Sequence, residues 1–200
     1  MSSAAASAPQ PKRSAAVPLA LTTLRLLLAP LVLLLAYRHI RGLPIALCVF
    51  AALVSDYFDG MIARRTGTVT IGLRRFDSIS DSIFYVSVLI AIWHLERAVV
   101  FRFKWLLIPL LTMEVARIVF ERTKFGHISA YHMWSSKAWG LLLAIATMAL
   151  LGYGIGGKLV AAALIVGIIN EVEGLAISVI LPTARHDVPT ILHAARIRRA

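Results

Sequence analysis

Four aspartates stand close together in the first half of the chain, Asp56 and Asp59 three residues apart and Asp77 and Asp81 four apart. On helices, each spacing puts both carboxylates on one face. Only ten acidic residues occur in 200, and four of them fall in this stretch. Carboxylates left unpaired at close range repel one another. Hard divalent cations relieve that repulsion, and an oxygen-only donor set suits Mg²⁺ or Mn²⁺ rather than zinc. Between the pairs, Gly60 and Ala63 leave the helix face beside the carboxylates nearly bare, so that a flat ligand or a phosphate can approach. Arg64, Arg65, Arg74 and Arg75 surround the same place with cations suited to phosphate oxygens. Two metal ions, arginines and an acceptor hydroxyl are the parts that a phosphoryl displacement requires. The competing structural reading is a set of salt bridges at helix ends.

The elements that must carry these residues are apolar. The chain is 59% hydrophobic and 16% charged, with a mean hydropathy of +0.80, far from a soluble globule. Apolar stretches recur near the length of about 20 residues that crosses a hydrocarbon core as helix: 17–37, 43–63, 76–95, 103–121, 135–153 and 158–181. The expected fold is an all-α membrane protein with six transmembrane helices. Residues 1–16 read as a disordered leader, 17–181 as the membrane domain and 182–200 as a basic tail. The first apolar run is too long for a signal peptide, and no internal repeat suggests a transporter.

The net charge of +11 follows topology rather than nucleic acid. With six spans, one side holds Lys12, Arg13, Arg64, Arg65, Arg74, Arg75, Arg122, Lys124, Lys137, Arg185, Arg196, Arg198 and Arg199, and the other only Arg38, Arg41, Arg97, Arg102, Lys104 and Lys158. The positive-inside rule makes the first side, with both termini and the aspartates, cytoplasmic. The tail arginines are also placed to touch anionic lipid. Cys48, the single cysteine, reads as a packing residue. A carboxylate at membrane depth costs about 3 kcal/mol on insertion scales, so the aspartates read as a functional site.

The run Asp56-Tyr-Phe-Asp59-Gly60-Met-Ile-Ala63-Arg64, followed by Asp77-Ser-Ile-Ser-Asp81, closely resembles the signature of the CDP-alcohol phosphotransferase family, D-x2-D-G-x2-A-R, a spacer, then G-x3-D-x3-D. The segment VPLALTTLR, from Val17 to Arg25, resembles the opening of the first helix in bacterial phosphatidylglycerophosphate synthases. The resemblance implies a six-helix bundle with a cytoplasmic active site, a homodimer, and a bacterial-type inner-membrane location. It implies that Asp56, Asp59 and Asp77 hold a di-metal centre of Mg²⁺ or Mn²⁺, with Asp81 a further ligand or neighbour and the general base. It further implies that Asp56, Gly60, Ala63 and Arg64 receive the CDP moiety of a lipid donor such as CDP-diacylglycerol. The reaction it implies is attack by an acceptor hydroxyl on the lipid-linked phosphorus, with release of CMP. One position departs from the pattern. The family's second glycine falls at Leu73, with Gly72 one position early, and Thr70 offers a compensating hydroxyl in the same turn.

For the acceptor, Arg117 and Lys137 are the candidate ligands. Arg117 lies inside the fourth span, beside a candidate partner Glu114 at i−3, and Lys137 opens the fifth. Where phosphatidylglycerophosphate synthases carry a lysine-rich stretch, this chain has Ser135-Ser-Lys137-Ala. Glycerol 3-phosphate is the first expectation, with inositol phosphate or another alcohol as the alternative. His127 and His132 complete no tetrahedral metal site and read as polar interfacial residues. In the sixth span Asn170, Glu171 and Glu173 are expected to face the bundle interior, with Arg117 or Arg25 as partner. The reading from another class is a non-catalytic membrane protein or a cation transporter, in which acids would be strung along a conduit.

Overall fold

The apolar runs fold as helices whose inward faces carry small and branched residues at helical spacing. In a computed structural model describing residues 16–66, 70–129, 131, 133–185 and 188–199, the order is α1 (Ala16–Tyr37), α2 (Leu43–Thr66), α3 (Ile71–Leu95), α4 (Arg97–Arg102), α5 (Lys104–Phe125), α6 (Trp134–Tyr153), α7 (Lys158–Ile180) and α8 (Ile191–Arg199). No strand occurs among the described residues. Six helices have spanning length, and among the described residues four combine it with enough hydropathy to cross a membrane: α1, α3 from Arg75 onward, α6 and α7. The other two long helices, α2 and α5, are the ones that carry Asp56 and Asp59, and Glu114, Arg117 and Glu121.

Several boundaries differ from the periodicity. α2 runs on to Thr66 and α3 starts at Ile71, because Thr70 caps α3, its side chain accepting from Leu73 N at 3.1 Å. The aspartates therefore sit within helices at both ends of a short connector. The third-to-fourth connection contains the short helix α4, and the tail contains α8. The leader lies outside the described residues except at its last position, Ala16, which opens α1.

α1 packs along both α2 and α3, α6 lies against α2 and α7, and α7 contacts α5. The first core joins Leu28, Val32 and Ala36 of α1 to Ile45, Val49 and Ala52 of α2 and to Phe84, Val88 and Ala91 of α3, with Cys48 packed among them. These are i, i+4, i+7 or i+8 spacings, the inward stripe of a packed helix. The outward faces are apolar too, with Leu27 and Leu89 each 64% exposed, where a soluble bundle would present polar side chains.

Connectivity divides the bundle into two ends. At one, Gly42 N donates to Gly152 O, and Arg41 pairs with Glu96. A Cβ at Gly152 would lie 3.1 Å from that Gly42 carbonyl, so glycine permits this backbone approach. At the other end meet the start of α1, the α2–α3 connector, the α5–α6 connection and α8. Exposed tryptophans mark both levels, each beneath a cation: Trp93 under Arg97 and Trp105 under Lys104 at the first end, Trp134 under Lys137 at the second. Such aromatic–basic girdles are the pattern of the two bilayer interfaces.

Candidate active site

The second end of the bundle holds all four motif aspartates, gathered around one residue of α1. Arg25 is 2% exposed. Its Nη2 donates to Asp59 Oδ2 at 2.6 Å, and its Nη1 lies 3.0 Å from Asp77 Oδ1, 3.4 Å from Asp56 Oδ1 and in contact with Asp81. Thr22, one turn earlier, donates to Asp59 Oδ2 at 3.2 Å and also lies 3.0 Å from Pro18 O. Helical register produces this convergence. Thr22 and Arg25, Asp56 and Asp59, and Asp77 and Asp81 each share the face that their helix turns toward the other two.

A single guanidinium cannot neutralise four carboxylates, and the cluster is open on one side. Asp56 and Asp77 side chains are 48% and 36% exposed, whereas that of Asp59 is 6% exposed. One carboxylate oxygen from each of Asp56, Asp59 and Asp77 lies within 4.8 Å of the others, a grouping able to hold a metal ion. The donors are all carboxylate oxygens, which fits a hard divalent cation. Asp81 is not part of that trio but meets the same Arg25 Nη1 as Asp56 and Asp77.

The family model for CDP-alcohol phosphatidyltransferase matches residues 15–169, which takes in α1 to α6 and the start of α7. The chain belongs to the CDP-alcohol phosphatidyltransferase family. It is therefore a transferase of substituted phosphate groups, acting on a CDP-alcohol donor in phospholipid synthesis. That membership sets aside the reading as a cation transporter. No curated protein and no solved structure matches the chain.

Within this phosphatidyltransferase, Gly60, Ala63 and Arg64 continue α2 as helix beyond Asp59, with side chains outside the described residues. Gly72 lies in the first turn of α3, and a Cβ there would meet no protein atom within 4 Å. Packing therefore does not require a glycine at position 72. The Thr70 oxygen accepts from Leu73 N; as a hydroxyl it can still donate.

The candidate acceptor residues fall in a second polar cluster. Arg117 of α5 pairs with Glu171 Oε2 of α7 at 2.6 Å and with Glu121 Oε1 at 3.4 Å. The expected pairing with Glu114 is replaced by these two, since Glu121 and Glu171 are buried where α5 meets α7. A Cβ on Gly174 would lie 3.0 Å from Arg117 Cδ, so that glycine makes room for the arginine stem. Glu121 also accepts from Ser178 Oγ and from Ser129 N, both at 2.8 Å. Ser178 meets the Tyr131 hydroxyl at 2.9 Å. Asn170 accepts from Ser135 and Ser136 and donates to Glu171. Asn170 and Glu171 face the interior as expected, whereas Glu173 is half-buried and takes the Ile191 N–H of the tail at 3.4 Å. Lys137 is exposed, its Nζ 4.5 Å above the Trp134 ring. His127 is exposed, and His132 lies outside the described residues.

A motif search misses Thr22 and Arg25 as the hub of the aspartates, and in the second cluster Glu121, Ser129, Tyr131 and Ser178. The available signal was an arginine inside an otherwise apolar run, with threonine one turn before it, because an ion at that depth needs partners.

Proposed function

We propose that the chain transfers a phosphatidyl group from CDP-diacylglycerol to an alcohol acceptor, glycerol 3-phosphate first among candidates, with release of CMP. The observation that carries this reading is the convergence of the Asp56, Asp59 and Asp77 carboxylates at one open end of the bundle, with Asp81 and Arg25 beside them. In this reading all six long helices span the bilayer, with Asp59 of α2 and Arg117 and Glu121 of α5 paired inside the bundle, and the aspartate end is cytoplasmic. The protein sits in a bacterial-type inner membrane as a homodimer.

Asp56, Asp59 and Asp77, with Asp81 as a further ligand or neighbour, would hold two divalent cations, Mg²⁺ or Mn²⁺. When bound, these supply charge neutralisation on the diphosphate. The helix face over Gly60, Ala63 and Arg64 takes the cytidine and diphosphate, with Thr70 adding a hydroxyl donor. Asp81 accepts the proton of the acceptor hydroxyl as the oxygen–phosphorus bond forms at the lipid-linked phosphate and the bond to CMP breaks. A base acts only within hydrogen-bond reach of the proton it removes, and the start of α3 brings Asp81 to the same focus as the other carboxylates. Lys137, exposed at the head of α6, is the cation best suited to an acceptor phosphate. Arg117 enters less directly, since Glu121 and Glu171 hold its guanidinium.

The test is CMP release by purified protein given CDP-diacylglycerol and Mg²⁺ or Mn²⁺ with a panel of acceptors: glycerol 3-phosphate, inositol phosphate, serine and other alcohols. Release with glycerol 3-phosphate above the rest supports the full reading. Release with inositol phosphate instead keeps the reaction and replaces the acceptor. No CMP with any acceptor rejects the proposal.

A further inference from the structure

The tail helix α8 has two faces of different kinds. Ala194 is buried, and Ile197 packs with it against Tyr131, Met133, Ile177, Leu181 and Val188. Ala194 and Ile197 thus form an inward stripe that docks on the end of α7 and on the α5–α6 connection. The opposite face carries Leu192, Arg196 and Arg199 at i, i+4 and i+7, all exposed, so that they stand in one row. Leu192 is 68% exposed. Arg198 and Arg185 are exposed nearby, and among the described residues none of these arginines is in an ion pair. Among the described residues, the one carboxylate engaged with the helix is Glu173, which takes a backbone N–H at its start.

Its level in the bilayer is marked independently. Trp134 N donates to Pro189 O at 3.3 Å, two residues before α8 begins, and the Trp134 ring is 66% exposed with Lys137 above it. An exposed tryptophan beneath a cation belongs at the headgroup region. A helix tethered there, with an apolar side chain between arginines on its free face, matches a segment lying in the membrane interface.

We propose that the Leu192–Arg196–Arg199 face of α8 is a docking surface for anionic phospholipid headgroups of the leaflet into which the aspartate site opens. Leu192 enters the acyl boundary while Arg196 and Arg199 bind lipid phosphates, and Arg185 and Arg198 add to the attraction. Because the inward stripe of α8 also grips Tyr131 and Met133, the same docking holds the connection that leads to Ser135, Ser136 and Lys137. The inference needs the chain to be embedded in a bilayer but does not depend on which acceptor it uses.

The test uses the full chain with Cys48→Ala and Ala195→Cys, labelled at residue 195 with an environment-sensitive fluorophore and placed in nanodiscs. The lipids are phosphatidylcholine alone or equal parts phosphatidylcholine and phosphatidylglycerol. The expected result is a blue-shifted emission and protection from an aqueous quencher in the anionic discs. High salt should reverse it, as should Arg196→Gln with Arg199→Gln, because surface electrostatics are screened and scale with basic residues. CMP release in neutral detergent should be the same for both forms, so a folding defect would be visible separately. Identical emission in the two lipids would overturn the proposal. So would an anionic shift that survives loss of both arginines, or an equal shift in neutral discs on adding a single-stranded RNA.

Discussion

Among the described residues, two arginines lie inside the bundle, and their surroundings differ in one decisive respect. Arg25 joins four aspartates, of which Asp56 and Asp77 remain substantially exposed. Arg117 joins Glu121 and Glu171, which are fully and almost fully buried; Ser178 shares the Glu121 oxygen that faces Arg117, and the other oxygens are taken by the Ser129 N–H and Asn170. Both clusters lie at the same end of the same bundle. Both hold more negative charge than their one cation can offset, but the first has an open side, whereas the carboxylates of the second are closed off and hydrogen-bonded. Charge left open to solvent at a membrane surface is what a ligand site requires, whereas a closed ion network staples helices together.

Substitutions in the two clusters should therefore separate activity from stability. The largest effect is expected at Asp81: Asp81→Asn should lower the rate of CMP release by about 10²- to 10⁴-fold, the range for loss of a general base, with little change in melting temperature. Unchanged turnover would remove Asp81 from the mechanism. On the other side, Arg117→Met leaves two buried carboxylates without their cation and should cost about 3 kcal/mol of stability, read as a lowered melting temperature in detergent. A fully stable Arg117→Met protein that fails to release CMP would move Arg117 into the reaction site.

Divalent cation gives the next contrast. At about 100 times its dissociation constant, Mn²⁺ should stabilise the wild type by about 2.7 kcal/mol, and EDTA should reverse the gain. Asp56→Asn should lose most of it and Glu121→Gln none. The smallest effect is expected from Thr22→Val, which removes one interhelical hydrogen bond to Asp59, worth about 0.6 kcal/mol inside membrane bundles. A much larger loss would show that Thr22 fixes Asp59 for binding rather than merely touching it.

The sequence carried the first cluster further than the second. Asp56, Asp59, Asp77 and Asp81 could be placed because helical spacing is local: each pair declares its face within four residues. The hub could not be read in the same way. Arg25 reaches Asp59 across 34 positions and Asp81 across 56, and nothing local says which of several acids an arginine in an apolar run will meet. Glu171 was expected to face inward with Arg117 as a candidate partner, because burial of a charge limits the choices. Glu121 was hidden, since at i+4 from Arg117 near a helix end it resembles an ordinary exposed pair. The long helices followed from hydropathy. α4 and α8 did not, being too short for a hydropathy signal, and the contact of Ala194 with the end of α7 is between residues far apart in the chain.

The contrast is tested most directly by Asp77→Asn and Glu121→Gln, assayed side by side for CMP release per folded molecule and for melting temperature. Asp77→Asn should melt like the wild type and release little CMP, while Glu121→Gln should melt lower and, below its transition, retain turnover. Asp77→Asn protein that releases CMP at the wild-type rate would contradict the assignment of the α1–α3 aspartates as the reaction site.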